Sequence, residues 1–337
     1  MSRKAQISNG TKIQGLVDLQ VNGYKGVHFS DINLTRDDFI MACRCVFEAG
    51  TTAFLPTMIT SPKKVYEHNL PIMAAVLQET EFHGKLLGFH IEGPFISAQD
   101  GARGAHDTQW ISKPDIEYLK QLIDWSDGQV KLLTIAADPE GAEKLASYAL
   151  SRGIAVSLGH QMASEADLAR LAQAGAVSLT HLGNGVPAML SRHENPVWAG
   201  LGNDDLVAMI IADGHHLPVS ILKTIIRTKR PERCVVVSDS SSPAGLPAGQ
   251  YKALGHKVVL EEDGLLRDLT TGYLGGSSAS MLQCMNHLAS LDLVNIDDLL
   301  AMGFDNPLAL IRLGPDNVAQ GRDILFDQEN KIFLLEK

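Results

Sequence analysis

Short apolar runs rich in β-branched residues alternate with segments of helical spacing through most of the chain, and this alternation constrains the fold more than any other feature. Apolar strands separated by helices favour a parallel sheet that is covered on both faces. Eight such runs favour an α/β fold closed into a (β/α)8 barrel of the TIM type. The predicted strands are Gly15–Val21, Thr52–Pro56, Leu86–Ile91, Lys131–Ala136, Ala155–Leu158, Ala176–Thr180, Leu206–Ile211 and Val235–Ser238.

The segments between these runs have helical spacing. Several begin with a Ser, Thr or Asp capping residue or carry Pro in the first turn, and both features are typical of helix starts. The predicted helices are Thr35–Ala49, Pro62–Glu79, Pro114–Trp125, Glu140–Ser151, Ser164–Ala174 and Pro218–Lys229.

The pattern changes after the eighth run. Turn-linked short strands are predicted first, then three helices and a final hairpin. No internal repeat and no linker rich in Gly, Ser or Pro is present, so we predict one barrel over residues 15–313, with a hairpin insertion at about 250–274 and terminal segments at 1–14 and 314–337. The predicted elements are strands at Tyr251–Leu260, Gly264–Asp268 and Tyr273, helices at Ser278–Ser290, Ile296–Met302 and Pro307–Leu313, and the hairpin at Asp323–Glu336.

The composition excludes several classes of protein. A net charge of −10 without a basic cluster argues against nucleic-acid and anionic-membrane partners. The four cysteines form no CxxC pair, which favours reduced thiols over a disulfide framework. The first ten residues are polar and no apolar run approaches the length of a membrane span. We therefore expect a cytoplasmic protein.

Polar residues that can bind metals recur where the predicted strands end. Glu92 ends the third strand, and His160 and His181 follow the fifth and sixth. In a barrel these ends converge at one mouth, where two imidazoles and a carboxylate suit a catalytic Zn²⁺ with an open coordination position. Each residue alone has a plainer interpretation, as a surface acid or as a hydrogen-bonded His under a loop.

Two further residues fit hydrolytic chemistry at such a mouth. Asp239 closes the eighth strand, where a carboxylate can take a proton from an attacking water and pass it to a leaving nitrogen. The Ser-rich stretch after it also allows a helix N-cap. His106 lies in a Gly-rich loop after the third strand and could stabilise an oxyanion. A surface polar role is its alternative.

Together these segments resemble the amidohydrolase superfamily and, within it, the N-acetylglucosamine-6-phosphate deacetylase family. The resemblance extends from about Gly15 to Leu313, with six motifs in the family's order. They are Asp18-Leu19-Gln20-Val21-Asn22-Gly23, His90-Ile91-Glu92-Gly93-Pro94-Phe95, Gly159-His160, Thr180-His181-Leu182-Gly183-Asn184, Ile211-Ala212-Asp213-Gly214-His215-His216, and Ser238-Asp239 followed by Pro243-Ala244-Gly245.

The resemblance implies a metal-dependent hydrolase that removes the N-acetyl group from an amino sugar phosphate. Glu92, His160 and His181 would hold one divalent ion per subunit, most simply Zn²⁺, with Fe²⁺, Mn²⁺ or Co²⁺ as alternatives. Asp239 would act as base and then acid, and His106 would polarise the acetamide carbonyl. Many superfamily members carry His-x-His near their start and bind a second metal there.

This chain has Gln20 and Asn22 in place of that His pair, and amides are weak metal ligands, so both are expected to line the substrate site around a single metal. For the phosphate, the resemblance implies the main-chain amides of Asn184 and Gly185. It also implies Arg192 and His216, which would reach the neighbouring site of a homodimer. An exposed loop charge is the alternative for Arg192.

Three departures from the family pattern keep other activities open. Gly183 stands where the family usually has an aromatic residue, the loop between Glu92 and His106 is long, and the short terminal segments predict a vestigial or missing β-sandwich. The alternatives are an amidohydrolase acting on another N-acyl amino sugar or N-acyl amino acid, and a non-catalytic metal-binding barrel.

Overall fold

The computed structural model describes residues 10–253, 256–269, 272 and 274–336. Its centre is an eight-stranded parallel sheet in the order β11-β10-β9-β8-β7-β6-β5-β2. The strands are β1 Thr11–Lys12, β2 Val17–Val21, β3 Gly23–Tyr24, β4 Val27–His28, β5 Ala53–Ile59, β6 Phe89–Glu92, β7 Val130–Ile135, β8 Ala155–Leu158, β9 Ala176–Leu179, β10 Val207–Ile211, β11 Cys234–Val237, β12 Gly249–Ala253, β13 His256–Leu260, β14 Leu266–Asp268, β15 Ile324–Asp327 and β16 Ile332–Leu335.

The first and last strands of this sheet meet through their ends. Val21 forms a parallel bridge with Ser240, and the Asn22 main-chain N–H donates to Ser240 O at 2.8 Å. These contacts bring β2 beside β11, so the predicted (β/α)8 barrel and its eight strands are confirmed.

The helices lie outside the barrel and agree with the predicted segments, with ends that differ by a few residues. Thr35 caps the first of them by accepting from the Asp38 main-chain N–H, and Ser164 and Asp167 form a capping box. Residues 196–202 form a helix that the sequence pattern did not predict. The helices are α1 Arg36–Glu48, α2 Lys63–Leu77, α3 Ile116–Trp125, α4 Ala142–Ser151, α5 Glu165–Gln173, α6 Pro196–Gly202, α7 Val219–Lys229, α8 Met281–Ser290, α9 Ile296–Leu300 and α10 Asn306–Leu310.

Apolar side chains fill the barrel interior below the mouth, including Leu19, Leu55 and Met209. Phe304 and Leu308 pack into the same cluster. Because this end of the barrel is packed with hydrocarbon, polar chemistry is confined to the opposite end, where the strands terminate.

Two small sheets accompany the barrel. Strands β12, β13 and β14 form an antiparallel sheet after the eighth barrel strand. The predicted strand Tyr251–Leu260 is instead two strands, β12 and β13, which pair with each other. Tyr273 and residues 254–255 lie outside the described part. Strand β1 pairs with β15, which pairs with β16. The terminal hairpin is thus present and joined by a short N-terminal strand; its relation to a family β-sandwich remains a prediction, and residues 1–9 lie outside the description.

None of the described helices is both long enough and apolar enough to cross a membrane.

Candidate active site

Glu92, His160 and His181 meet at the barrel mouth although they are distant in sequence. The Glu92 carboxylate oxygen Oε1 lies 3.1 Å from His160 Nε2 and 3.0 Å from His181 Nε2. The two Nε2 atoms are 3.0 Å apart. All three residues are buried. Their side chains meet at the mouth, as their positions at the strand ends predicted.

These three atoms fit a divalent metal. Bonds of about 2.0–2.1 Å to a common tetrahedral centre would separate nitrogen and oxygen ligands by about 3.3 Å, close to the observed spacing. The His160 Nδ1 atom lies 2.9 Å from Ala102 O. A ring nitrogen that donates to a carbonyl leaves the other nitrogen with its lone pair free, which is the form that ligates a metal.

His106 lies beside this cluster. Its ring centroid is 4.4 Å from that of His160, and it forms a second metal-capable group with Glu92 and His160, whose ligand atoms lie within 4.8 Å of one another. Burial, followed by the charge of His160, lowers the pKa of His106 to about 3, so its ring is neutral at physiological pH. The tighter spacing to His181 favours the Glu92, His160 and His181 set for the ion.

The charges in the cluster are strongly coupled. Burial alone would raise the pKa of Glu92, but hydrogen bonds from His160 and His181 hold it well below its usual range. Burial lowers the pKa of His181, yet its bond to Glu92 gives a net increase. The cluster therefore holds a carboxylate anion beside imidazoles, a donor set suited to a divalent cation.

Asp239 faces this cluster from the end of β11. Burial, reinforced by the negative charge of Glu92, raises its pKa to about 6. Asn22 donates to Asp239 Oδ1 at 2.7 Å. A carboxyl group with such a pKa can accept and return a proton near neutral pH, as general base and acid catalysis requires.

Three of the strand-end residues have left-handed backbones, with φ of 51° at His160, 30° at His181 and 51° at Asp239. This conformation is costly for residues other than glycine, and it concentrates at functional sites. It turns each side chain over the barrel mouth. His and Asp adopt this conformation more often than most other residues, but the sequence alone does not show which His or Asp does so.

The amides Gln20 and Asn22 are positioned beside the acids. Gln20 Nε2 donates to Glu92 Oε1 at 2.9 Å, as Asn22 does to Asp239. Their carbonyl oxygens, Gln20 Oε1 and Asn22 Oδ1, are buried without a hydrogen-bond partner among the described residues. Both amides therefore orient carboxylates and keep an acceptor for a ligand, while their contact with substrate stays a prediction.

The predicted phosphate contacts lie around the loop after β9. The Asn184 main-chain N–H already donates to His181 O at 2.9 Å. Gly185 has a φ of 62°, and a Cβ there would lie 2.9 Å from His160 Nδ1, so only glycine fits against the ring. Arg192 is exposed. No contact in the single chain tests the phosphate assignment.

His216 follows β10, the strand next to β9 in the barrel. Its Nδ1 lies 2.7 Å from Asp213 Oδ2 and its side chain is 6% exposed. His216 also acts electrostatically on Asp239 of the same chain. Its predicted reach into a neighbouring subunit is untested, and the observed placement supports a role in its own site. The orienting partner Asp213 was visible in the sequence as a strand-end acid but had no assigned role.

Comparison with known proteins identifies the relatives of this chain. No family model matches the chain. It is 31% identical over 284 residues to the N-acetylglucosamine-6-phosphate deacetylase of Bacillus subtilis (strain 168), covering 82% of this chain and 69% of the relative. It is 30% identical over 328 residues to the N-acetylgalactosamine-6-phosphate deacetylase of Shewanella sp. (strain ANA-3), covering 94% and 78%.

A solved structure shares the fold of this chain. The crystal structure of N-acetylglucosamine-6-phosphate deacetylase from Thermotoga maritima superposes with a TM-score of 0.83 at 27% identity, covering 97% of this chain and 86% of that one. The extent of the sequence match to the curated relatives and the shared barrel lead to one conclusion. The chain belongs to the N-acetylglucosamine-6-phosphate deacetylase family, enzymes of the amidohydrolase superfamily that hydrolyse an amide carbon–nitrogen bond.

Proposed function

We propose that the chain hydrolyses the acetamide of N-acetylglucosamine 6-phosphate to acetate and glucosamine 6-phosphate. The observation that carries this is the convergence of Glu92, His160 and His181 beside Asp239 in a chain of this family. Zn²⁺ is the proposed ion, since two imidazoles and one carboxylate are a common catalytic zinc set. When bound, the ion supplies Lewis acidity to the site.

The chain's own residues then divide the proton transfers. Asp239 takes a proton from the attacking water at Oδ2, because Asn22 occupies Oδ1, and returns it to the leaving nitrogen. His106 donates a ring N–H to the acetamide oxygen as negative charge develops there. Gln20 holds the Glu92 carboxylate in place during this cycle.

The test is an acetate-release assay with metal-loaded protein. The phosphorylated glucosamine derivative should be the best substrate, and the unphosphorylated sugar and N-acyl amino acids should be poor ones. Equal rates with and without the phosphate would refute the proposed substrate. The galacto epimer is a second candidate, because a relative named for N-acetylgalactosamine 6-phosphate matches over 94% of this chain. It belongs in the same assay.

Recognition of the phosphate by Arg192 from a second subunit is part of the proposal. Arg192 lies on an exposed loop beside large exposed apolar side chains, with Met189 92% exposed and Trp198 57% exposed. Such a patch supports contact with a second copy, and a guanidinium suits a phosphate because it donates two parallel hydrogen bonds.

Arg192→Ala should raise KM for the phosphorylated sugar about tenfold or more, while the exposed control Arg227→Ala should leave it unchanged. Light scattering of the wild type and Met189→Asp would report whether this surface joins two chains. An unchanged KM in Arg192→Ala would remove the phosphate assignment.

The cytoplasm is the proposed compartment. All four cysteines are free thiols, Cys43, Cys234 and Cys284 being buried, and unpaired cysteines are usual in a reducing compartment.

A further inference from the structure

Asp213, which follows β10, is a buried carboxylate that accepts four hydrogen bonds. Its Oδ2 accepts from His216 Nδ1 at 2.7 Å and from Ser277 Oγ at 3.0 Å. Its Oδ1 accepts the main-chain N–H groups of His215 and His216, both at 2.9 Å. The side chain is 3% exposed, so its position and ionisation are fixed by these donors.

The bond to Asp213 determines which atom of His216 can meet a ligand. Because Nδ1 donates to the carboxylate, Nε2 is the ring nitrogen left for another partner. A carboxylate that fixes a ring in this way selects its tautomer and its orientation.

Ser277 connects this pair to the segment that carries Asp239. Its hydroxyl donates to Asp213, while its main-chain N–H donates to Asp239 O at 3.1 Å. Ser277 also forms a parallel bridge with Ser240 and is 1% exposed. One buried serine therefore contacts both the carboxylate behind His216 and the backbone of Asp239.

We propose that Asp213 and Ser277 are positioning residues, with Asp213 presenting His216 Nε2 to the substrate and Ser277 fixing Asp213 to the Asp239 segment. The proposal rests on the proposed function only in naming the sugar phosphate as the ligand that His216 meets. Neither residue touches the reacting atoms. Their effect on the reaction is exerted through His216 and through the placement of Asp239.

A double-mutant cycle separates positioning from general structural damage. Asp213→Asn keeps the shape of the side chain and removes its charge, and should raise KM for N-acetylglucosamine 6-phosphate about tenfold, with a smaller change in kcat. In a His216→Gln background the same substitution should change KM less than about twofold. An equal factor in both backgrounds would show that Asp213 does not act through His216, and would overturn the proposal.

Ser277 and Ser278 form a matched pair. Ser277→Ala keeps the main-chain bond to Asp239 O. It loses the hydroxyl bond to Asp213 and the bond that Ser277 Oγ accepts from the Ala279 main-chain N–H, so KM should rise about two- to fivefold. Ser278 instead donates to Gly264 O in the turn after β13, and Ser278→Ala should change KM less than Ser277→Ala does. Equal effects of the two substitutions would contradict the role of Ser277.

A substrate-independent measurement keeps this inference distinct from the proposed function. NMR spectra of protein labelled with ¹⁵N-histidine should contain a downfield, hydrogen-bonded Nδ1–H signal that His216→Gln removes. Asp213→Asn should weaken that hydrogen bond and move the signal upfield, while Ser278→Ala should not. A His216 ring protonated only at Nε2 in the wild type would overturn the proposal, whichever substrate the enzyme prefers.

Discussion

Two polar layers lie one above the other inside the barrel, and they differ in how their hydrogen bonds are satisfied. In the deeper layer His90 Nε2 lies 2.7 Å from Thr134 Oγ1, which lies 2.8 Å from Thr180 Oγ1. Thr180 donates to Ser157 Oγ at 2.6 Å. His90 Nδ1 lies 3.1 Å from Leu19 O. These contacts form a continuous series that connects β2, β6, β7 and β8 with Thr180 at the end of β9.

In the upper layer, at the mouth, several buried polar atoms lack a hydrogen-bond partner. Among the described residues, buried atoms without a hydrogen-bond partner include Gln20 Oε1, Asn22 Oδ1, His106 Nδ1, His181 Nδ1 and Asp18 Oδ2. A buried polar group without a partner is costly, so natural proteins retain such groups mainly where function requires them. The deeper layer is therefore expected to stabilise the barrel, and the upper layer to bind ligands. Substitutions in the two layers should have different effects.

The largest effect is expected in the upper layer at Glu92. Glu92→Gln removes the carboxylate that faces both candidate ligand imidazoles, so bound metal should fall well below one per chain and activity should drop by a factor of at least about 10³. Metal analysis and acetate release of the same sample measure this. The exposed control Glu67→Gln should match the wild type; full metal content in Glu92→Gln would place the ion elsewhere.

Asp239→Asn should separate metal binding from proton transfer. The amide keeps the size of the side chain but cannot accept a proton, so turnover should fall by about 10² to 10⁴. Metal content should stay near one per chain. If the variant retained most of its kcat, Asp239 would have no part in the proton transfers.

Asp18, at the edge of the upper layer, should make stability depend on pH. Burial raises its pKa from 3.8 to about 7. Between these values the folded chain keeps a proton that the unfolded chain has lost, so the stabilisation by Asp18 is fully present below about pH 4 and is lost as pH rises to about 7.

Asp18→Asn should therefore gain stability relative to the wild type across that window, by about 4 kcal/mol, in urea unfolding of metal-free protein. Substitution of the exposed Asp124 by Asn provides the control. A stability difference between Asp18→Asn and the wild type that did not vary with pH would assign an ordinary pKa to Asp18.

A substitution in the deeper layer should have a smaller effect, and it should change the stability of the fold and not the catalytic activity. Thr134→Val preserves shape and leaves His90 Nε2 and Thr180 without one partner, which should lower the free energy of unfolding by about 1–2 kcal/mol. Thr224 bonds only its own helix at the surface, so Thr224→Val should cost less. If Thr134→Val abolished metal binding without loss of stability, the two layers would not have separate roles.

The barrel could be predicted because apolar strands and capped helices are local patterns that can be recognised in the sequence. The sequence also predicted the meeting of Glu92, His160 and His181, because residues at equivalent strand ends converge in any such barrel. Helix α6 was missed, since Pro196–Gly202 is short and lies in a loop-like composition. The Asp213–Ser277 contact could not be predicted, because it joins loops 64 residues apart.

The left-handed backbone at His160, His181 and Asp239 was also not predicted, because His and Asp adopt it only in particular tertiary environments. The roles of Arg192 and His216 at a subunit boundary depend on a second chain and remain predictions.

Anomalous diffraction from crystals of zinc-loaded protein, recorded on both sides of the zinc absorption edge, would locate the proposed metal ion directly. We expect one anomalous peak per chain, bounded by Glu92, His160 Nε2 and His181 Nε2, with Asp239 facing it. A peak ligated by His106 in place of His181, or a second peak at Gln20 and Asn22, would contradict it.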